Sequence, residues 1–165
     1  MMTPNTTHTL GDTRFTLSGD RGFVATRVVD APRSLVWEAW TNPRHVSHWV
    51  LGPDGTTMPV CEIDLRPGGK WHFRWRERNG FDLEMRGEYL EVMAPERLVN
   101  TESWGLDWSE TLHTIVLTEE DGRTTIEVTV LYQSKLARER ALGTGMEEGW
   151  SQSYDRLDDY LQTMV

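Results

Sequence analysis

The fold is decided by one stretch near the C-terminus, residues 146–164, which reads MEEGWSQSYDRLDDYLQTM. Large apolar side chains recur in it at spacings of three and four, the period of a helix with one buried face. They are Met146, Trp150, Tyr154, Leu157, Leu161 and Met164. Burying six such side chains contributes on the order of 10 kcal/mol, far more than helix propensity supplies. The helix therefore forms because the rest of the chain covers it.

The start of this helix carries two local signals. Thr144-Gly145-Met146-Glu147 matches a capping box, in which the Thr hydroxyl and the Glu carboxylate satisfy amide groups of the first turn. A shorter helix is predicted over residues 134–142, and Gly143 can supply the left-handed residue that ends it. Gly149 lets the backbone of the long helix approach a neighbour closely, so a packing role is expected for it.

The covering element is predicted to be an antiparallel sheet. Residues 56–132 contain about six strand-like runs and no helical stretch long enough for a parallel crossover. Turn residues separate the runs at Pro67-Gly68-Gly69, Asn79-Gly80, Ala94-Pro95, Gly105 and Asp121-Gly122. Residues 22–29 form a further strand, preceded by a short one at 14–17, and residues 71–76 alternate aromatic and cationic side chains. That alternation predicts one buried and one wet face.

Two short helices lie between the first strands and the rest of the sheet. Asp30-Ala31-Pro32 precedes apolar residues at helical spacing, and Asn42-Pro43 starts a second helix predicted over residues 43–49. The predicted fold is therefore α+β, a curved antiparallel sheet wrapped around a long C-terminal helix. Residues 1–11 lack periodicity and are interpreted as a flexible tail, and residues 12–165 as a single domain.

Charge and composition exclude several classes of partner. The formal net charge is −9 and no Lys/Arg cluster forms a basic stripe, which argues against nucleic acid. No apolar run of about 18 residues could cross a bilayer, and the polar N-terminus lacks a secretory signal. A single cysteine, Cys61, cannot form an internal disulfide and is expected to be a buried, inert thiol. We expect a cytoplasmic protein. The sequence is compatible with a monomer or a homodimer.

A cavity is expected where the straight helix and the curved sheet separate. The chain has eight tryptophans, an excess that fits either a bulky core or an aromatic binding cavity. The residues expected to line the cavity and bind a ligand are Trp71, Phe73, Trp75, Met85, Trp104, His113, Met146, Trp150 and Tyr154. The alternative interpretation is that they form a packed core.

The titratable residues give weaker signals. His45 and His48 stand one helical turn apart without a third ligand, so we expect an exposed pair and no metal site. Asp64 and Arg66 are interpreted as an ion pair at a strand end. Glu102 and His113 lie in strands and either could reach the cavity as an acid or base, and Arg74 is considered with them. No phosphate loop, nucleophile elbow or zinc spacing occurs, so no cofactor and no catalytic residue is assigned.

Five motifs, in order, resemble those of the activator of heat-shock-protein-90 ATPase homologue-like family within the START-like SRPBCC superfamily. They are Ala25-Thr26-Arg27 leading into Asp30-Ala31-Pro32, Val36-Trp37-Glu38-Ala39-Trp40-Thr41, Asp64-Leu65-Arg66-Pro67-Gly68-Gly69-Lys70-Trp71, Pro95-Glu96-Arg97-Leu98-Val99, and Gly145-Met146-Glu147-Glu148-Gly149-Trp150. The resemblance covers about residues 22–161. It implies a helix-grip fold with a deep hydrophobic cavity between the sheet and the last helix.

Three functions are compatible with these features. The first is binding of a small hydrophobic molecule, aromatic or lipid-like, without catalysis. The second is an enzyme that uses the same cavity, of the polyketide cyclase/aromatase or hydrolase type found in the superfamily, which requires inward-pointing polar groups. The third is a protein-interaction module of the co-chaperone type, which requires an exposed apolar patch outside the cavity.

Overall fold

The computed structural model describes residues 6–50, 55–105 and 108–164. Within these residues nine strands form one antiparallel sheet in the order β1-β2-β3-β9-β8-β7-β6-β5-β4. The strands are β1 (Thr7–Leu10), β2 (Thr13–Ser18), β3 (Gly22–Val29), β4 (Thr57–Ile63), β5 (Lys70–Arg76), β6 (Asp82–Met93), β7 (Arg97–Glu102), β8 (Thr111–Glu120) and β9 (Arg123–Leu131). The helices are α1 (Arg33–Thr41), α2 (Pro43–Val46), α3 (Lys135–Leu142) and α4 (Met146–Met164). The predicted α+β helix-grip architecture is confirmed.

The strands of the curved sheet bury one face and expose the other, as β5 illustrates. On β5 the side chains of Trp71, Phe73 and Trp75 are buried on the concave face, and His72 and Arg74 alternate with them on the convex face. The six strands β4–β9 match the number predicted for residues 56–132, and β3 has the predicted bounds. Alternating hydrophobicity in the sequence thus fixes which side of each strand faces α4.

Helix α4 packs into the concave side by the predicted face. Tyr154, Leu157 and Leu161 are buried, and Met146, Trp150 and Met164 are partly buried against the same core. The backbone of α4 comes close to β1, β2, α1 and α3. None of the described helices is both long and apolar enough to cross a membrane.

The predicted left-handed end of α3 and the predicted capping box of α4 are both wrong. Gly143 has a right-handed φ of −66°, and the left-handed residue is Gly145, with φ of 77°. The Thr144 hydroxyl donates to the Ala141 carbonyl at 2.6 Å, so it serves the end of α3 rather than the start of α4. Glu147 instead pairs with His8, its Oε2 lying 2.7 Å from Nε2. The three residues between the helices therefore form one continuous turn, and the capping box does not form.

Part of the predicted N-terminal tail belongs to the sheet. Residues 7–10 form β1, which pairs with β2, and the Ser151 hydroxyl of α4 donates to the Leu10 carbonyl at 2.9 Å. The threonines of this segment are β-branched and suit a strand, but a single short run gives little periodic signal. Residues 1–5 of the predicted tail lie outside the described residues. Helix α2 is shorter than expected and ends at Val46.

A buried arginine joins the sheet to α4. Arg27 lies on the concave face of β3 with 3% of its surface exposed. Its guanidinium donates to the Thr13 hydroxyl at 3.1 Å and to the Asp155 carboxylate at 2.8 Å, and it lies 3.6 Å from Asp158. A charge removed from water in this way is tolerated only because carboxylates of α4 neutralise it. The contact therefore holds the middle of the helix against the sheet.

Replacing Arg27 by alanine is expected to lower the free energy of unfolding by about 2–4 kcal/mol, because two carboxylates lose their partner and a cavity opens. The measurement is chemical denaturation followed by circular dichroism. Arg66→Ala is the control, since Arg66 pairs with Asp64 in an exposed turn and its removal should leave the midpoint almost unchanged. Equal midpoints for the two variants would contradict a tethering role for Arg27.

Candidate functional site

The register of three central strands brings polar side chains together on the concave face. Asn100 on β7 lies opposite His113 on β8, and Glu102 lies opposite Thr111. His113 in turn lies opposite Val130 on β9, which is buried in the core. Because paired residues share a face, all four polar side chains point to the side of the sheet that α4 covers. This end of the concave face is therefore polar.

Glu102 and His113 form a close carboxylate–imidazole pair at the centre of this group. Glu102 Oε2 lies 3.0 Å from His113 Nε2, and its Oε1 accepts a hydrogen bond from Trp104 Nε1 at 2.9 Å. Thr111 Oγ1 also lies 3.0 Å from His113 Nε2. The side chains of Glu102 and His113 keep 17% and 12% of their surface exposed, so the pair is covered but reachable. Each group of the pair is thus held in a fixed orientation.

The negative charge of Glu102 affects the pKa of two buried tyrosines. Burial raises the pKa of Tyr132 well above its usual range, and the negative charge of Glu102 raises it further. Burial raises the pKa of Tyr154 in the same way, again with a contribution from Glu102. The Tyr132 hydroxyl donates to Met146 Sδ at 3.5 Å. Both phenols therefore stay protonated and can act as hydrogen-bond donors.

Besides Arg27 Nε, two buried donors on this side of the sheet lack a partner. Trp71 Nε1 and the Tyr154 hydroxyl make no hydrogen bond within the described residues, although the two side chains are only 4% and 3% exposed. The Trp150 indole lies close enough to Tyr154 to lower its pKa slightly, but no hydrogen bond of normal geometry forms. An unsatisfied buried polar group costs about 1–3 kcal/mol. Such groups are what a bound molecule or water would satisfy.

Apart from His45 and His48, whose rings contact Tyr160, the aromatic side chains form two separate groups. On the sheet, Trp71, Phe73 and Trp75 contact one another in sequence, and Trp104 stacks on Trp75 with ring centroids 5.7 Å apart. The other group surrounds α4 and consists of His8, Phe15, Phe23, Trp40, Trp49, Trp150 and Tyr154. Within the ranges that the structure describes, no ring contact joins the sheet group to the helix group. Glu102 and His113 lie on β7 and β8, which are between β5 of the sheet group and β3 of the helix group in the strand order.

The predicted lining residues divide into three sets. His113, Met146, Trp150 and Tyr154 belong to the polar group or contact its neighbours, and Trp71 lies opposite Gly87 on β6. Phe73, Trp75 and Met85 pack in the core, with Met85 paired to Phe73 and Trp75 Nε1 donating to the Val50 carbonyl at 2.6 Å. Trp104 is 42% exposed and holds Glu102 from the outside.

Sequence reasoning did not single out Thr111 and Tyr132. Both alternate with convex-face leucines in strand-like runs, so the signal was present. It becomes readable only when the strand register is known, because a shift of one residue would turn both side chains to the other face.

The remaining titratable candidates have structural roles. His45 Nδ1 lies 2.6 Å from the Tyr160 hydroxyl, and the His48 ring stacks on Tyr160 at a centroid distance of 4.7 Å. Across residues 6–50, 55–105 and 108–164, no three His, Cys, Asp or Glu side chains are grouped to hold a metal ion. Arg74 points to the convex face and does not join Glu102 and His113. Burial raises the pKa of the Cys61 thiol to about 11, so the thiol is not a nucleophile at neutral pH.

A groove of about 230 Å³ lies behind the polar pair. It is lined by Arg21, Thr101, Glu110, Thr111, Leu112, Leu131, Tyr132 and Gln133. Thr101, Leu112 and Leu131 form one cross-strand row whose side chains point to the convex face. Most of this groove is therefore on the outside of the sheet, and it shares only Thr111 and Tyr132 with the concave site.

Comparisons with known proteins agree with this architecture. The family model described as "Activator of Hsp90 ATPase homolog 1-like protein" matches residues 30–162. A solved structure from Rhodobacter sphaeroides superposes with a TM-score of 0.88 at 24% identity, covering 92% of this chain and 99% of that one. One from Nitrosomonas europaea gives 0.79 at 22% identity, covering 90% and 98%. The protein Ms6760 from Mycobacterium smegmatis gives 0.76 at 24% identity, covering 85% and 90%. No curated protein matches the chain.

Proposed function

The chain belongs to the activator of Hsp90 ATPase homolog 1-like family, and we propose that it binds a small, largely apolar ring compound between α4 and the central strands. The observation that carries the proposal is the pair of buried donors without partners, Trp71 Nε1 and the Tyr154 hydroxyl. Keeping two such groups unpaired costs stability, so their presence is explained if a ligand satisfies them.

The chemistry of the lining limits the ligand. Trp71, Trp150 and Tyr154 supply aromatic surface on both sides of the proposed site. The free groups are donors, so the ligand should carry a carbonyl or other acceptor oxygen. The carboxylate of Glu102 lies on the same face and disfavours an anionic ligand. A neutral aromatic ketone has all of these properties.

The test removes each donor while an aromatic ring stays at each position. Trp71→Phe and Tyr154→Phe are each expected to weaken binding of the neutral aromatic ketone acetonaphthone by about 3–10-fold, the value of one hydrogen bond. The free energy of unfolding of the empty protein should stay unchanged or rise slightly for Tyr154→Phe, because an unsatisfied buried group has gone, and should fall by about 1–2 kcal/mol for Trp71→Phe, because phenylalanine leaves a cavity beside the smaller ring. Affinity is measured by isothermal titration calorimetry and stability by chemical denaturation.

The control is Trp49→Phe. Trp49 is buried near α4, but its Nε1 already donates to the Ala39 carbonyl at 2.8 Å. This variant should lose about 1 kcal/mol of stability and keep its affinity for acetonaphthone. The proposal is wrong if the unmodified protein binds neither acetonaphthone nor other neutral aromatic ketones, or if all three variants bind equally well. Native mass spectrometry of the purified protein would then identify the natural ligand.

A further inference from the structure

The hydrogen bonds around His113 determine which of its nitrogens carries the proton. The Thr111 hydroxyl donates to the Glu102 backbone carbonyl at 3.4 Å, so its oxygen can only accept from His113 Nε2. The Glu102 carboxylate, 3.0 Å from the same nitrogen, is also an acceptor. Both neighbours therefore require hydrogen on Nε2. The neutral imidazole then carries its lone pair on Nδ1.

An imidazole held in this way has the properties of a base. Glu102 fixes the ring orientation and would stabilise the positive charge that appears when Nδ1 takes up a proton. Trp104 in turn holds the other oxygen of Glu102 at 2.9 Å. The neighbouring titratable groups are Tyr132, directly after β9, and Tyr154 on α4, and the other charges acting on these two are Glu147 on α4, Arg138 on α3 and Arg27 on β3. Burial raises the pKa of both phenols, so they remain neutral donors.

We propose that His113, positioned by Glu102, is a general base that removes a carbon-bound proton from the neutral aromatic ligand. This inference rests on the proposed function and adds an activity to it. The substrate class is a ring compound whose C–H bond is activated by a neighbouring carbonyl or an equivalent acceptor group. His113 Nδ1 takes the proton, and the electron pair of the C–H bond forms a new double bond. The carbonyl electron pair moves onto oxygen, where the hydrogens of Trp71 Nε1 and the Tyr154 hydroxyl can stabilise it.

The chain contains a matched pair on the opposite face of the sheet. His72 Nε2 lies 2.6 Å from Glu84 Oε1, and both side chains are on the convex side. This pair has the same chemistry as Glu102 and His113 but lies on the face of the sheet that α4 does not cover. Comparing the effects of substituting His72 and His113 therefore distinguishes catalysis by a base inside the site from catalysis by an imidazole on the other face of the sheet.

The experiment uses a nitrobenzisoxazole, an activated aromatic carbon acid, as the probe. Removal of its ring proton turns the C–H electron pair into the third bond of a nitrile and breaks the N–O bond, releasing a coloured nitrophenolate. No oxidant or second reactant is needed. For the full chain we expect turnover of the probe that saturates with probe concentration. His113→Gln should lower the rate at saturating probe by about 100-fold, and His72→Gln should leave it unchanged.

Glu102→Gln tests the positioning role. It should lower kcat by about tenfold while KM stays the same, since Glu102 acts through His113 rather than on the probe. Thermal melting of every variant shows whether it folds. Turnover that survives in folded His113→Gln, or that falls equally in His72→Gln, overturns the inference. Acetonaphthone binding without His113-dependent turnover overturns the base and leaves the proposed function standing. Absence of acetonaphthone binding overturns both.

Discussion

Replacing Leu157 by aspartate is expected to abolish cooperative folding. Leu157 lies in the middle of α4 with none of its surface exposed, so the substitution removes about 2–3 kcal/mol of hydrophobic burial and places a carboxylate in the core. The cost of burying that charge is several kcal/mol more. Together these approach the whole stability of an average domain, about 5–15 kcal/mol. Circular dichroism should show no cooperative thermal transition, and size-exclusion chromatography should show expanded or aggregated protein.

Two control variants distinguish the effect of the buried position from the effect of the aspartate side chain. Gln152→Asp puts the same side chain on an exposed position of the same helix and should melt almost as the unmodified protein does. Leu157→Ala removes the side chain without adding charge and should cost about 3–4 kcal/mol. A cooperative transition for Leu157→Asp near the temperature of the unmodified protein would mean that α4 is not held by the concave sheet.

The fold could be predicted because its strongest signals are local. The period of the side chains Trp150, Tyr154 and Leu157 defines α4 within one segment, and the aromatic alternation at residues 71–76 defines β5 and its buried face. The end of α3 was predicted wrongly because Gly143 and Gly145 are both able to adopt a left-handed conformation. Which of them does so depends on how α3 and α4 are placed in space.

The site was predictable only in part. His113 and Trp71 were expected in a cavity from their strand positions, but the contact between Glu102 and His113 joins two strands and depends on register. The Gly149 prediction also failed, because a methyl group at that position would meet nothing within 4 Å. The glycine that does matter for the site is Gly87, which no sequence signal marked.

Replacing Gly87 by alanine is expected to destabilise the protein by about 2–4 kcal/mol and to weaken ligand binding. Gly87 lies opposite Trp71 on the concave face. A Cβ atom there would be only 1.9 Å from the Thr101 backbone carbonyl oxygen and 2.3 Å from Trp71 Nε1. The carbonyl cannot rotate away, since it belongs to β7, so the strands must move apart. The indole whose N–H is proposed to bind the ligand would move with them.

The sign of this effect is diagnostic, because glycine in a strand usually costs stability relative to alanine by about 0.5–1 kcal/mol. Gly149→Ala, in the open part of α4, should follow that ordinary rule and gain about 0.5–1 kcal/mol. Chemical denaturation of both variants gives the comparison, and calorimetry with acetonaphthone gives the affinity. If Gly87→Ala were as stable as the unmodified protein and bound acetonaphthone equally well, the Trp71 indole would not lie where the concave site requires it.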